Sequence, residues 1–127
     1  MGKSIIQEKS FQFALRIIEA YRKLQLEKEY VLSKQLLRSG TSVGANVEEA
    51  LAAQSRRDFL SKMSIASKEA RETRYWLILL QTSKLANVNL NTSLADVEEI
   101  IRILTSIVKT TATSQTVLPT QNSKLKA

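Results

Sequence analysis

Apolar residues recur at alternating intervals of four and three positions from Phe59 to Leu80. This spacing puts them on one face of an α-helix, and it is typical of helices that pack at a shallow angle. The seam consists of Phe59, Met63, Ala66, Ala70, Thr73, Leu77 and Leu80. A capping box of the form Ser-x-x-acid, from Ser55 to Asp58, stands just before it. We therefore predict a helix from this box to about Ser83.

The N-terminal segment has a second helical pattern. Helix one is predicted from about Ser4 to Glu27, with Ser4 as the N-cap residue. Its inward side is predicted to hold Phe11, Phe13, Leu15, Ile17, Ile18 and Leu24. Most of this stripe is expected to lie in the core.

Helix two is predicted from Ser33, as a cap, to about Ala53. Its recurring apolar face contains Leu36, Val43, Val47 and Ala50. Gly40 and Gly44 lie inside this helix, where each glycine costs up to about 1 kcal/mol relative to alanine. We infer that a neighbouring backbone approaches closely at these two positions.

Turn-forming residues between positions 87 and 93 separate helix three from a fourth helix, predicted from about Leu94 to Thr113. Ser93 and Asp96 offer a second capping box at its start. Short connections favour antiparallel neighbours, so the predicted fold is all-α, an up-and-down antiparallel four-helix bundle over residues 1–113. Residues 114–127 lack a repeating apolar face and are predicted to be a disordered tail.

Composition argues against a membrane protein and against an enzyme. The apolar run Trp76–Leu80 is far shorter than the roughly 20 residues that span a bilayer, and the N-terminus has no export signal. We expect a cytoplasmic protein with no membrane partner. The chain contains no Cys and no His, which removes the usual zinc ligands and the usual acid/base group at neutral pH. We predict no catalytic residues, no metal and no cofactor.

A polar stripe runs along helix two beside its apolar face. Ser39, Ser42, Asn46 and Glu49 follow one another at intervals of three, four and three. One interpretation is a hydrogen-bonded network that sets the register of the helices, with Glu72 or an arginine of helix three as a partner. The alternative is a pocket for a ligand.

Helix four is apolar over about half of its circumference, which is wider than the ~100° stripe that one core-facing helix needs. Helix three also carries Ile65, Trp76 and Leu79 away from its core seam. We predict a homo-oligomer whose subunit contact contains these three residues and Ile100, Ile103 and Ile107 of helix four. A wider core within one chain is the alternative.

Basic residues share one side of helix three. An arc of roughly 120°, set apart from the core seam, holds five basic residues and one tyrosine: Arg56, Arg57, Lys68, Arg71, Arg74 and Tyr75. The chain has a formal net charge of +7. Arginine and lysine on one face can bind the phosphates of RNA or DNA, while an ordinary solvated face is the alternative interpretation.

Three sets of residues resemble one known family. They are the run from Arg38 to Ala50, the triplet from Asp58 to Leu60, and the segments Ile65–Ala66 and Glu69–Leu77. Their order and spacing are similar to those of bacterial four-helix-bundle proteins first noticed in intervening sequences of large-subunit ribosomal RNA genes. The chain departs from that pattern at Ala50, where many members have glycine.

This resemblance implies a closed ring of bundles, typically a pentamer. It also implies kinship with the accessory protein of diversity-generating retroelements, a basic ring thought to bind nucleic acid and another protein, a reverse transcriptase. It implies no particular activity. The predicted function is thus a non-enzymatic homo-oligomer whose basic face binds nucleic acid, and the alternative is a structural or protein-interaction ring.

Overall fold

The computed structural model describes the backbone of residues 4–123 and the side chains of residues 4–113. Four helices follow one another: α1 (Ile5–Leu26), α2 (Leu32–Leu51), α3 (Arg56–Ser83) and α4 (Asn91–Ser123). Each helix packs against its two neighbours in the order α1, α2, α3, α4, and α4 returns to α1. No strand occurs in the described part of the chain. The predicted four-helix bundle is confirmed.

One core joins the four helices. α2 contributes all four of its predicted apolar residues, and α3 contributes its predicted seam, with Phe59 only half-buried at the end of it. The largest fully buried side chains include Phe13, Leu36, Leu77 and Leu104, one from each helix. The alternating spacing in the sequence therefore identifies the inward faces of α2 and α3.

The inward face of α1 is narrower than the sequence suggests. Phe13, Ile17 and Leu24 are buried as predicted. The prediction was wrong for Phe11, Leu15 and Ile18, which are 52%, 48% and 40% exposed. The buried set is Ile6, Ser10, Phe13, Ile17, Ala20 and Leu24, which leaves the second apolar stripe pointing outward. Two interleaved stripes with the same helical spacing exist on α1, and only one of them packs on α2 and α4.

The first turn of α2 is capped by a glutamate. The N-cap residue, Val31, makes no side-chain cap, and the predicted cap Ser33 lies buried inside the first turn. The Glu29 carboxylate instead accepts hydrogen bonds from the backbone N–H groups of Val31 (3.2 Å), Leu32 (3.1 Å) and Ser33 (2.6 Å). Negative charge at a helix N-terminus is favourable because the free N–H groups point toward it. Ser33 therefore lies inside the helix and is not its cap.

The start of α3 agrees with the prediction, and that of α4 does not. Ser55 Oγ accepts a hydrogen bond of 3.0 Å from the backbone N–H of Asp58, as in a capping box. α4 begins three residues before the predicted Leu94, and Asn89 Oδ1 accepts a hydrogen bond of 2.9 Å from the N–H of Asn91. Ser93 is buried within the helix, so the second capping box is wrong.

The backbone of α4 continues beyond the predicted end at Thr113 to Ser123. The side chains of residues 114–123 and the whole of residues 124–127 lie outside the described residues. The predicted boundary of the bundle at residue 113, and the disordered tail after it, stay predictions.

Gly40 and Gly44 lie where α2 approaches α1. A Cβ atom on Gly40 would come within 2.8 Å of Ile17 Cγ2, and one on Gly44 would lie 3.3 Å from the backbone oxygen of Ser10. Both distances are shorter than ordinary van der Waals contact. The predicted close approach of a neighbouring backbone is found at Gly44, whereas at Gly40 the close neighbour is the side chain of Ile17.

Candidate nucleic-acid interface

The predicted basic face of α3 is exposed along its whole length. Arg56, Arg57, Lys68, Arg71, Arg74 and Tyr75 are all exposed residues. Arg56 and Arg57 begin the helix, directly after the Ser55 cap. The face extends from the N-terminal end of α3 to beyond its middle, on the side away from the core.

A cleft between α3 and α4 gathers the positive charge. It is lined by Arg71, Arg74, Glu98, Ile101 and Arg102. Three guanidinium groups thus share one depression with a single carboxylate. Arg102 was missed by sequence reasoning because it lies on α4, and a helical wheel of α3 cannot show which residues of another helix lie beside it.

Two of these arginines are oriented by α4. Arg74 Nε lies 3.2 Å from Glu98 Oε2, and Arg71 donates a hydrogen bond of 2.9 Å to Thr105 Oγ1. Both arginines are exposed, so the ion pair contributes little to stability because water screens it. The sequence shows no acidic residue in the basic arc of α3, but the fold brings Glu98 to it from α4.

Tyr75 provides a flat apolar surface beside the arginines. Its side chain is 58% exposed. Its ring packs edge-to-face against Trp76, with ring centroids 5.2 Å apart and an angle of 68° between the planes. This contact holds the tyrosine while leaving much of it open to solvent.

The predicted polar network lies between α2 and α3 and divides into separate groups. Ser39 and Thr73 are fully buried, and their hydroxyl oxygens lie 2.9 Å apart. Asn46 Nδ2 donates to the carbonyl oxygen of Ser42 at 2.9 Å and to its hydroxyl at 3.1 Å. Glu49 is exposed. The structure brings Ser42 to Asn46, and it brings Ser39 to Thr73, which was not predicted to belong to the network.

Glu72 belongs to a charged cluster at the contact between α2 and α3. Arg38 pairs with Glu69 at 3.3 Å and with Glu72 in a closer contact. Glu72 Oε2 also accepts a hydrogen bond of 3.0 Å from Trp76 Nε1. Trp76, a predicted subunit-contact residue, is therefore hydrogen-bonded within its own chain.

Glu49 pairs with Lys62 rather than with the rest of the stripe. Their charged atoms lie 2.9 Å apart, and the Glu49 side chain is 60% exposed. The hydrogen bond that Lys62 donates to this carboxylate raises the pKa of the lysine above its usual value, and the attraction of the two charges adds to the effect. Glu49 and Asn46 share no hydrogen bond among those of the described residues.

The predicted subunit-contact residues differ in their exposure. Ile65, Trp76 and Leu79 are half-buried, and so are Ile103 and Ile107, which pack against the core of their own chain. Ile100 is 1% exposed, so its prediction is corrected: it is a core residue that a second chain cannot reach. This arrangement of α4 corresponds to the alternative of a wider core.

The helices of the described residues include none that is long and apolar enough to cross a membrane. Among the same residues, no group of three or more acidic, His or Cys side chains is placed to hold a metal ion. The chemistry on this surface is that of arginine, lysine and tyrosine side chains.

Comparison with known proteins identifies the family. Residues 2–106 match the family model described as 23S rRNA-intervening sequence protein. The chain belongs to this family. No curated protein matches the sequence.

A solved structure supports the same relationship. The chain is similar to a Bacteroides thetaiotaomicron protein of unknown function from the S23 ribosomal protein family, known from a crystal structure. The two sequences are 48% identical, and the match covers 83% of this chain and 99% of the other with a TM-score of 0.79. At this identity the two chains share the fold, and neither description indicates an enzyme.

Proposed function

We propose that this protein is a non-enzymatic, homo-oligomeric bundle that binds the phosphate backbone of nucleic acid through the exposed face of α3 and the α3–α4 cleft. The observation that carries the proposal is the convergence of Arg71, Arg74 and Arg102 on one cleft. Guanidinium groups bind phosphate oxygens with paired N–H donors, and three of them in one depression suit a chain of phosphates better than a single small anion.

The neighbouring residues extend this surface. Lys68 and Arg57 continue the positive charge along α3. Tyr75 offers a ring on which an unpaired base can stack, a contribution of about 1–3 kcal/mol per base in single-strand binding. The described side chains of this surface form no pocket for the edge of a base. We therefore expect nucleic-acid binding to have a weak sequence preference and a strong dependence on salt.

The oligomer is the second part of the proposal. A ring, typically a pentamer, is what the resemblance of the sequence implies, and kinship with the retroelement accessory protein is likewise a prediction from resemblance. The half-buried residues Ile65 and Leu79, with Ile103 and Ile107 on α4, are the candidates for the subunit contact. Light scattering that gives the mass of one chain at micromolar concentration would contradict this part.

A structural or protein-interaction ring without nucleic acid is the other candidate function. The observation that favours it is that Arg74 and Arg71 already have partners on α4, in Glu98 and Thr105. On this account the positive charge serves solubility. The protein would act in the cytoplasm in either case.

The test compares two triple variants with equal loss of charge. The first changes Arg71, Arg74 and Arg102 to Gln. The control changes three exposed lysines outside α3 and α4 to Gln, namely Lys23, Lys28 and Lys34 at the end of α1, between α1 and α2, and at the start of α2. Fluorescence anisotropy measures the binding of labelled single-stranded RNA, single-stranded DNA and duplex DNA at low salt. We expect the cleft variant to bind at least about tenfold more weakly, and the control to change by less than about twofold. Equal losses in both variants, or no binding by the wild type, favour the structural ring.

A further inference from the structure

A small cavity lies between α1 and the start of α4. Its volume is about 150 Å³, which is below the range of roughly 300–1,000 Å³ that is typical of sites for drug-sized ligands. It lies on the α1 side of α4, whereas the α3–α4 cleft lies on the other side, so it is separate from the surface proposed for nucleic acid. The polar residues that line it are Arg16, Glu19, Lys23, Asn89, Thr92 and Ser93.

The first turn of α4 leaves two backbone N–H groups without an acceptor. The N–H groups of Asn91 and Leu94 have acceptors in the segment before the helix. Those of Thr92 and Ser93, which lie between them, make no hydrogen bond with the described residues. At the start of α2 the carboxylate of Glu29 accepts such bonds. The positive end of α4 has no corresponding partner, and both of its free residues line the cavity.

The side chain of Ser93 is a second, independent indication of a ligand. Ser93 is 4% exposed, and its hydroxyl makes no hydrogen bond with the described residues. Every fully buried side-chain polar atom of these residues has a partner, so the Ser93 oxygen keeps a small opening, and the residue lines the cavity. A nearly buried hydroxyl with no partner in the protein is met by a bound ion or water.

α1 brings positive charge to the same cavity. Arg16 Nε pairs with Asp96 of α4, which holds the guanidinium beside the first turn of that helix. The two NH₂ groups of Arg16 remain as donors. Lys23 adds a second positive charge, and Glu19 is the one carboxylate among the lining residues. The donors of the cavity therefore favour an anion over water.

We propose that this cavity binds a phosphate group, either as the free ion or as part of a small phosphate ester. The N–H groups of Thr92 and Ser93 and the Ser93 hydroxyl donate from α4, and Arg16 donates from α1. Donors that come from two helices suit the oxygens of a tetrahedral anion, and the dipole of α4 adds to the attraction. The volume holds the phosphate group itself, and the remainder of an ester lies outside.

NMR of the full chain tests the proposal residue by residue. Inorganic phosphate and glycerol phosphate are titrated separately at constant ionic strength, and a parallel titration uses chloride. We expect the largest shifts at the amide signals of Thr92 and Ser93, with a dissociation constant of about 1 mM or below. The probe that causes these shifts identifies the source of the phosphate group. Equal shifts with chloride, or shifts confined to the α3–α4 cleft, overturn the proposal and leave the cavity to water.

Matched variants separate a binding role from a structural one. Arg16→Gln should weaken phosphate binding by about tenfold, whereas Arg22→Gln, at another exposed arginine of α1, should change it by less than about twofold. Ser93→Ala should weaken binding by about fivefold without lowering the melting temperature in phosphate-free buffer, because its hydroxyl has no protein partner to lose. If Ser93→Ala lowers the melting temperature and leaves the phosphate affinity unchanged, the hydroxyl is structural and the proposal is wrong.

Discussion

The hydroxyl oxygens of Ser39 on α2 and Thr73 on α3 lie 2.9 Å apart, and both residues are fully buried. Thr73 also lies 2.7 Å from the carbonyl oxygen of Glu69, one turn earlier in its own helix. Every buried side-chain polar atom in the described residues has a partner. The pair is therefore a satisfied polar link in the buried part of the contact between α2 and α3, and it favours one register of the two helices.

We predict that Ser39→Ala lowers the free energy of unfolding by about 0.5–1.5 kcal/mol, because it removes one of the two hydrogen-bond partners of the buried Thr73 hydroxyl. Thr73→Val should have a similar effect. The variant with both changes should lose clearly less than the sum of the two, since it replaces both polar groups. Urea denaturation measures all three. Strictly additive losses would show that the two hydroxyls do not act together.

Glu29 is predicted to hold the start of α2. Glu29→Ala removes the acceptor of three backbone N–H groups, and we expect a loss of about 1–2 kcal/mol in the free energy of unfolding. Glu19→Ala, at an exposed position on α1, is the control and should change stability by less than about 0.5 kcal/mol. Thermal denaturation compares the two variants. Equal effects would contradict the capping role.

The two glycines of α2 should respond differently to alanine. Gly40→Ala must displace Ile17, a buried branched side chain, so we expect a loss of about 1–3 kcal/mol despite the better helix propensity of alanine. Gly44→Ala meets the backbone of Ser10 at a longer distance and should cost less. Chemical denaturation that finds Gly40→Ala more stable than the wild type would show that α1 yields at this point.

Glu49→Ala should have a small effect on stability. The sequence pattern predicts a loss of melting temperature, because it places Glu49 in a polar network. The exposed pair with Lys62 instead predicts almost no change in melting temperature, because water screens the two charges. Since the pKa of Lys62 is raised, this small contribution is present at neutral pH and disappears only as the pH rises through that pKa. A large drop in melting temperature at pH 7 would instead support the prediction that Glu49 belongs to the polar network.

The sequence predicts the helices well because apolar spacing and caps are local features. It cannot show which of two stripes with the same spacing is buried. On α1, Phe13 and Ile17 face the core of the bundle, whereas Leu15 and Ile18 face outward. Packing against α2 decides between them, since only one stripe can lie against Gly40 and Gly44. Caps fail for a similar reason. Ser33 has the preferred residue type, but Glu29 reaches the same N–H groups from the preceding turn.

The candidate site shows the same limit. All six α3 residues of the basic face are exposed, as a helical wheel suggests. Arg102 and Glu98 join that face only through the contact of α3 with α4, so their arrival depends on the rotation of one helix against another. Ile100 was assigned to a subunit contact because the apolar stripe of α4 is wide, but it is enclosed by the helices of its own chain.

The salt dependence of nucleic-acid binding tests the central claim most directly. The logarithm of the association constant is measured against the logarithm of salt concentration for the wild type and for a variant with Arg57, Lys68 and Arg71 changed to Gln. If each of these three basic side chains neutralises one phosphate, the slope should become flatter by about two to three, because fewer counterions are released. A slope that does not change, or no binding of the wild type to any RNA or DNA at low salt, would contradict the account and leave the structural ring.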